Sequence, residues 1–116
     1  MNQTPTDTIS VFFYADWCKP CQRVKPLYFH KIQPMYLMNG ITTYEYNYDA
    51  EGTKDLMKKF GVKTIPTLCV MDLIKVPDDV SNIQDDMIIN ITKMDSHEIE
   101  KGWDKPMLTF SVEEDF

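Results

Sequence analysis

At 116 residues the chain reads as one domain (1–116), long enough to bury a core unaided, because independent folding becomes difficult only below roughly 40 residues. Twelve lysines and arginines against 18 acidic residues give a net charge of −6, which argues against nucleic acid or an anionic membrane as partner, since both call for a basic patch. Three cysteines are too few, and odd in number, for a secreted disulfide framework, and no apolar run reaches the ~18 residues of a membrane span.

Residues 1–8 read as a flexible N-terminus, followed by an apolar, β-branched and aromatic run, Ile9 to Ala15, expected as a strand buried on both faces. Cys21 to Gln33 carries helical spacing through Val24, Leu27, Tyr28 and Ile32, with Pro26 expected to kink it. Pro34 and Gly40 bracket a further short turn of helix at Met35 to Asn39. Ile41 to Asp49 alternates, with Tyr44, Tyr46 and Tyr48 on one face and Thr43, Glu45 and Asn47 on the other, as a strand does. Thr53 to Phe60 is a short helix turning Leu56, Met57 and Phe60 inward and ended by Gly61. Pro66 opens another apolar strand, Thr67 to Met71.

Strand, helix, strand, helix, strand predicts crossover units, hence parallel pairs in a sheet flanked by helices. Beyond Met71, residues 76–86 form an acidic, turn-rich segment expected to be an exposed loop. Met87 to Lys93 reads as a strand antiparallel to the preceding one. Asp95 and Glu98 form a capping box before a short helix. Leu108, Phe110 and Val112 alternate as a last strand or docked tail, and residues 113–116 are an acidic, solvated tail.

The chemistry concentrates at Trp17-Cys18-Lys19-Pro20-Cys21, where a buried strand gives way to a helix. The first cysteine then sits at a helix N-terminus, whose unpaired amides and dipole favour an anion, and the second lies one turn inside. The thiolate is the nucleophile in thiol chemistry; lowering a pKa from about 8.5 to about 7 raises its fraction at neutral pH from roughly 3% to roughly 50%. Lys19 adds a neighbouring positive charge. The expected cycle is attack by Cys18 on a disulfide and release of the mixed disulfide by Cys21.

The same spacing is half a zinc site, but zinc normally takes four ligands, and Cys69, His30 and His97 form no second close pair. No metal site is therefore expected, and the redox reading is preferred. Cys69, on a buried strand, reads as a small hydrophobe. The first residues show neither a basic start nor an apolar stretch, so the expected compartment is the reducing cytoplasm.

These residues resemble the thioredoxin family. The resemblance rests on Phe13-Tyr14-Ala15-Asp16-Trp17-Cys18-Lys19-Pro20-Cys21, then Pro26, Asn47 and Asp49, then Phe60 to Thr67 with Ile65-Pro66-Thr67, and covers about residues 9 to 75. It implies a thioredoxin-like α/β fold with a compact mixed sheet, trimmed at its N-terminus toward a glutaredoxin-like core. It also implies a thiol–disulfide oxidoreductase that reduces protein disulfides and binds no cofactor beyond the redox-active disulfide Cys18–Cys21. Its electrons would come from a thioredoxin reductase or a small thiol. By the same resemblance Pro66 is a cis-proline packed against the cysteines, Ile65 presents its backbone to an extended substrate, and Trp17 shelters the site.

The sequence also departs from the family. A buried aspartate usual six residues before the first cysteine is Phe12 here, and the neighbouring-strand lysine aligns with Glu45. Glu45 is therefore taken as a replacement proton acceptor for Cys21, because burial raises a carboxyl pKa toward neutrality. The short final helix suggests a poorly covered sheet face and hence a dimer or a partner protein. Two alternatives remain open: a glutathione-coupled or oxidising variant of the same chemistry, and a binding or accessory subunit that uses the fold without the reaction.

Overall fold

The computed structural model describes residues 7–104; Leu108, Phe110, Val112 and the acidic 113–116 lie outside them, as do residues 1–6 of the N-terminus. The first strand, β1 (Asp7–Tyr14), is the centre of the molecule, with Ile9, Val11, Phe12 and Phe13 fully buried. It already includes Asp7 and Thr8, and the Thr8 hydroxyl donates to Asp72 at 2.7 Å, so the chain is tied down two residues earlier than its apolar run suggests.

A helical run follows in three pieces: α1 (Lys19–Leu27), a π-helical turn (Tyr28–Ile32) and α2 (Gln33–Met38). Two prolines explain the break. Pro26 lacks the amide that would bond one turn back, and Pro34 removes another at the start of α2. Between them the Gln33 amide reaches the Tyr28 carbonyl, five residues back, so the run absorbs the lost donors by widening one turn instead of ending. Gly40, at φ +80°, turns the chain into β2 (Thr42–Asn47). Next come α3 (Thr53–Lys59), β3 (Thr67–Leu73), β4 (Ile88–Met94) and α4 (Ser96–Gly102), the last opened by the reciprocal Asp95–Glu98 capping box.

The strands lie in the order β2-β1-β3-β4. β1 pairs parallel with β2, Phe12 opposite Glu45, and antiparallel with β3, Val11 opposite Cys69; β4 pairs antiparallel with β3. The expected second parallel crossover is thus corrected: β2 and β3 flank β1 on opposite sides and β3 runs the other way. A buried apolar run marks a strand, but it carries no direction.

Each face of the sheet has its own core. Ile9, Val11, Phe13, Cys69, Met71 and Leu73 pack against Leu56 and Met57 of α3 and Phe60 at its end, with Tyr44 and Tyr46 alongside. Phe12, Leu68 and Val70 face Val24, Tyr28, Ile32 and Tyr36 of the long helical run and Ile99 of α4. The 76–86 segment is not wholly a loop in water: Asp78, Asp79, Asp85 and Asp86 are exposed, but Val80 and Ile83 are buried as anchors in the α3-side core. The final helix is short yet covers its share, with Ile99 fully buried, Trp103 packed on Tyr36, and the Tyr36 hydroxyl donating to the Trp103 carbonyl at 2.6 Å.

Candidate active site

β1 delivers the chain to its end at Tyr14 and Ala15, and Asp16-Trp17 turns it outward. Lys25 bonds the Asp16 carboxylate at 2.8 Å and holds its carboxyl below the usual carboxylate range, while Gln22 donates to the Asp16 carbonyl at 2.8 Å. Both contacts tie the turn to the first two turns of α1. Cys18 is the N-cap, in extended conformation, and its Sγ accepts the Cys21 amide at 3.2 Å. That position gives sulfur what a serine or aspartate cap usually receives, namely an orphan helix N–H. Pro20 occupies the first turn, where its missing donor costs nothing.

Cys18 and Cys21 are joined as a disulfide with Cα atoms 5.2 Å apart. Cys21 is fully buried and Cys18 is 6% exposed, packed with Ala15 against Tyr14, Tyr48 and Ile65. The outer sulfur is therefore the one a large disulfide can approach. Lys19 is exposed at the head of α1.

The Ile65–Pro66 peptide bond is cis, and the Ile65 carbonyl oxygen lies 3.8 Å from Cys18 Sγ; Pro66 itself is buried. Trp17 is 60% exposed, its indole N–H donating to Asp49 at 2.9 Å and its ring standing edge-on to Tyr48 at 5.8 Å. Asn47 accepts the Asp49 amide at 2.9 Å and so sets the carboxylate that holds the indole. Trp17, Cys18, Cys21, Ile65 and Pro66, scattered over nearly fifty residues, are thus brought to one end of the sheet.

Glu45 lies elsewhere on the same side of the sheet as α1. Its carboxylate accepts the Tyr28 hydroxyl at 2.5 Å and the Gln33 amide at 2.9 Å, and no hydrogen bond joins it to either cysteine among the described residues. Phe12 fills the space beside it, stacked on Tyr28 with ring centroids 4.2 Å apart. Burial first, then the bond to Glu45 and its charge, push the Tyr28 phenol above its ordinary value. Tyr28 and Gln33 are partners the sequence did not disclose: on an α-helix residues five apart diverge by roughly 140°, and only the π-helical turn brings both onto one carboxylate. Tyr48, the support beneath Trp17, was legible only as one of three alternating tyrosines. Among the described residues no group of three or more potential ligands could hold a metal ion.

Residues 2–100 match the family described as Thioredoxin. The chain belongs to the thioredoxin family. Among curated relatives, protein disulfide isomerase-like 2-2 of Oryza sativa subsp. japonica is 43% identical over 61 residues, 52% of this chain and 16% of that protein. Chloroplastic thioredoxin F-type of Pisum sativum is 27% identical over 92 residues, 78% of this chain and 48% of that protein. This thioredoxin-family chain therefore spans about half the length, or less, of these relatives. The crystal structure of mitochondrial thioredoxin 3 from Saccharomyces cerevisiae in its oxidised form superposes with a TM-score of 0.52 at 21% identity, covering 88% of this chain and 81% of that one, which establishes the shared fold. In fold class, a mixed sheet with flanking helices, the family expectation holds.

Proposed function

We propose that the chain is a thiol–disulfide oxidoreductase that reduces protein disulfides through Cys18 and Cys21. One observation carries this reading: the more accessible of two disulfide-bonded sulfurs caps a helix and accepts a backbone amide, with its partner buried one turn behind. In the reduced protein that amide and the helix N-terminus favour the Cys18 thiolate. The thiolate attacks one sulfur of a substrate disulfide, forms a mixed disulfide and expels the other substrate sulfur as a thiolate that takes up a proton. Cys21 then gives up its proton, its sulfur attacks Cys18 Sγ, and the second substrate thiolate leaves. Two electrons pass to the substrate, and the Cys18–Cys21 disulfide remains for a thioredoxin reductase or a small thiol to reduce.

Trp17 and Pro66 border the approach to Cys18, and the Ile65 carbonyl beside it offers an acceptor to an extended substrate backbone. Lys19 and Pro20 act through the helix start, one by charge and the other by fixing the first turn. Glu45 is proposed as the proton acceptor for Cys21. Its bonds to Tyr28 and Gln33 hold the carboxylate about two helical turns along the chain from Cys21, on the side of the sheet that carries α1, so the transfer would run through intervening water. The cytoplasm is the proposed compartment, its reducing thiol pool being suited to keep the pair cycling.

The test is reduction of a protein disulfide with dithiothreitol as electron source, alongside equilibration of the pair in glutathione buffers. A reducing couple with turnover is expected. A pair that forms no mixed disulfide and turns nothing over would leave the fold as a binding module, the reading that Phe12 in place of a carboxylate favours. For Glu45, the Glu45→Gln variant is expected to release the mixed disulfide more slowly than the parent; equal release rates remove the proton-transfer role.

A further inference from the structure

The chain is acidic overall, with 18 acidic residues against 12 basic, yet a depression walled by Tyr48, which packs on the cysteine pair, carries the opposite sign. About 340 Å³ in volume, it is lined by Tyr48, Met57, Gly61 and Val62 with Lys54, Lys58 and Lys63, and no acidic residue lines it. Met57 and Val62 form a buried apolar floor, whereas all three lysines are exposed. None of the three belongs to an ion pair among the described residues. A fourth ammonium, that of Lys93, is fixed at the same end by the Phe60 and Gly61 carbonyls at 3.1 and 3.4 Å.

The acidic counterpart lies on the other side of α3, where a separate depression is lined by Glu51, Asp55 and Asp79 with Lys59. Helix α3 therefore divides its charges, with Lys54 and Lys58 on the side of this depression and Asp55 and Lys59 on the other. The path from this depression to sulfur is short. Lys54 Nζ lies 4.8 Å above the Tyr48 ring, Tyr48 meets Trp17, Trp17 adjoins Cys18, and Tyr48 and Ile65 both pack on the cysteine pair.

We propose that this lysine-rimmed depression docks an acidic protein segment flanking the disulfide to be reduced, so that the preferred substrates carry aspartate or glutamate beside their cystine. The inference rests on the disulfide-reducing function proposed above and names its substrate class. A cationic rim around an apolar floor orients an anionic chain and raises its encounter rate, an effect that salt screens. The net charge of −6 repels the same segment from the molecule as a whole, so a local cluster of cations is what gives an anionic chain a favoured approach.

The test uses two otherwise identical disulfide peptides, one with glutamates beside its cysteines and one with glutamines, and dithiothreitol as electron source. Rates are normalised in each protein to turnover of the small neutral 2-hydroxyethyl disulfide. The parent is expected to reduce the glutamate peptide at least about threefold faster at low salt, with the ratio approaching one near 0.5 M salt, where the Debye length is well below about 8 Å. Replacing Lys54→Gln, Lys58→Gln and Lys63→Gln together is expected to abolish the preference. Equal rates for the two peptides, or a preference that survives the triple replacement, would overturn the docking proposal and leave the reductase proposal standing. Glutathione disulfide gaining a lysine-dependent advantage that the glutamate peptide lacks would overturn it in favour of a small anionic disulfide. No turnover of any of these disulfides by the parent would sink the reductase proposal itself, and this one with it.

Discussion

Cys18 and Cys69 are the same residue placed in opposite environments. Cys18 stands where a strand has ended and a helix begins, so it meets an unpaired amide and the outside of the molecule. Cys69 stands mid-strand in β3, fully buried between Val11 of β1 and Lys93 of β4 in register, with every neighbouring amide committed to the sheet. Burial pushes its thiol up to about 12, and the nearby Lys93 charge only partly offsets this. Thiol chemistry in this fold is therefore assigned by where the backbone runs out of partners, and not by which cysteines are present.

The largest test of that contrast is replacement. Cys18→Ser is expected to lower protein-disulfide turnover by at least about a hundredfold, because a hydroxyl at this cap is not ionised near neutrality. Cys69→Ser should stay within about twofold of the parent, since its sulfur contacts no reacting atom. Comparable losses in both would collapse the distinction.

A second contrast is alkylation of the reduced protein at pH 7. A thiol at about 12 is about one part in 10⁵ ionised there, so Cys18 should be modified by iodoacetamide at least about a hundredfold faster than Cys69. Peptide mapping over time reads this directly. Cys21→Ser sharpens the comparison within the pair, because without the resolving sulfur the mixed disulfide on Cys18 should accumulate and appear as a mass increment on non-reducing analysis.

The smallest effect is on stability. An unfolded cysteine ionises near about 8.5, whereas Cys69 in the folded chain holds its proton until about 12. Its contribution is thus complete below about pH 8.5 and lost as pH rises above it, at a limiting slope of about 1.4 kcal/mol per pH unit. Denaturant midpoints for the parent and Cys69→Ala should therefore converge between pH 8 and 10; parallel curves would place Cys69 in a wetter setting than β3 provides.

Where the backbone runs out of partners was legible in the sequence: the apolar run stops at Asp16, helical spacing starts beyond it, and the cysteines straddle the boundary. The distant Ile65-Pro66 was legible only through family resemblance, since nothing local says that a chain nearly fifty residues on returns to the same sulfur. The direction of β3 stayed hidden because a run of Leu68 to Met71, buried on both faces, looks the same read either way. Val80 and Ile83 were masked by the aspartates around them, as two anchors without a period give no pattern to count. The environment of Glu45 escaped for a different reason, because its two hydrogen-bond donors share a side only after the helix changes its winding.

That change of winding means that the long helical run is indexed to two separate targets. Ahead of it the angular phase is set by the cysteine pair and Val24; behind it the phase is set by Tyr36, which latches the end of the final helix. Winding residues 28–32 as plain α-helix without removing one would swing one half against the other by about 100°. Either the cysteines or the Tyr36 latch would then lose its seat, so the wide turn takes up the extra residue and holds one rod in phase with both ends of the molecule.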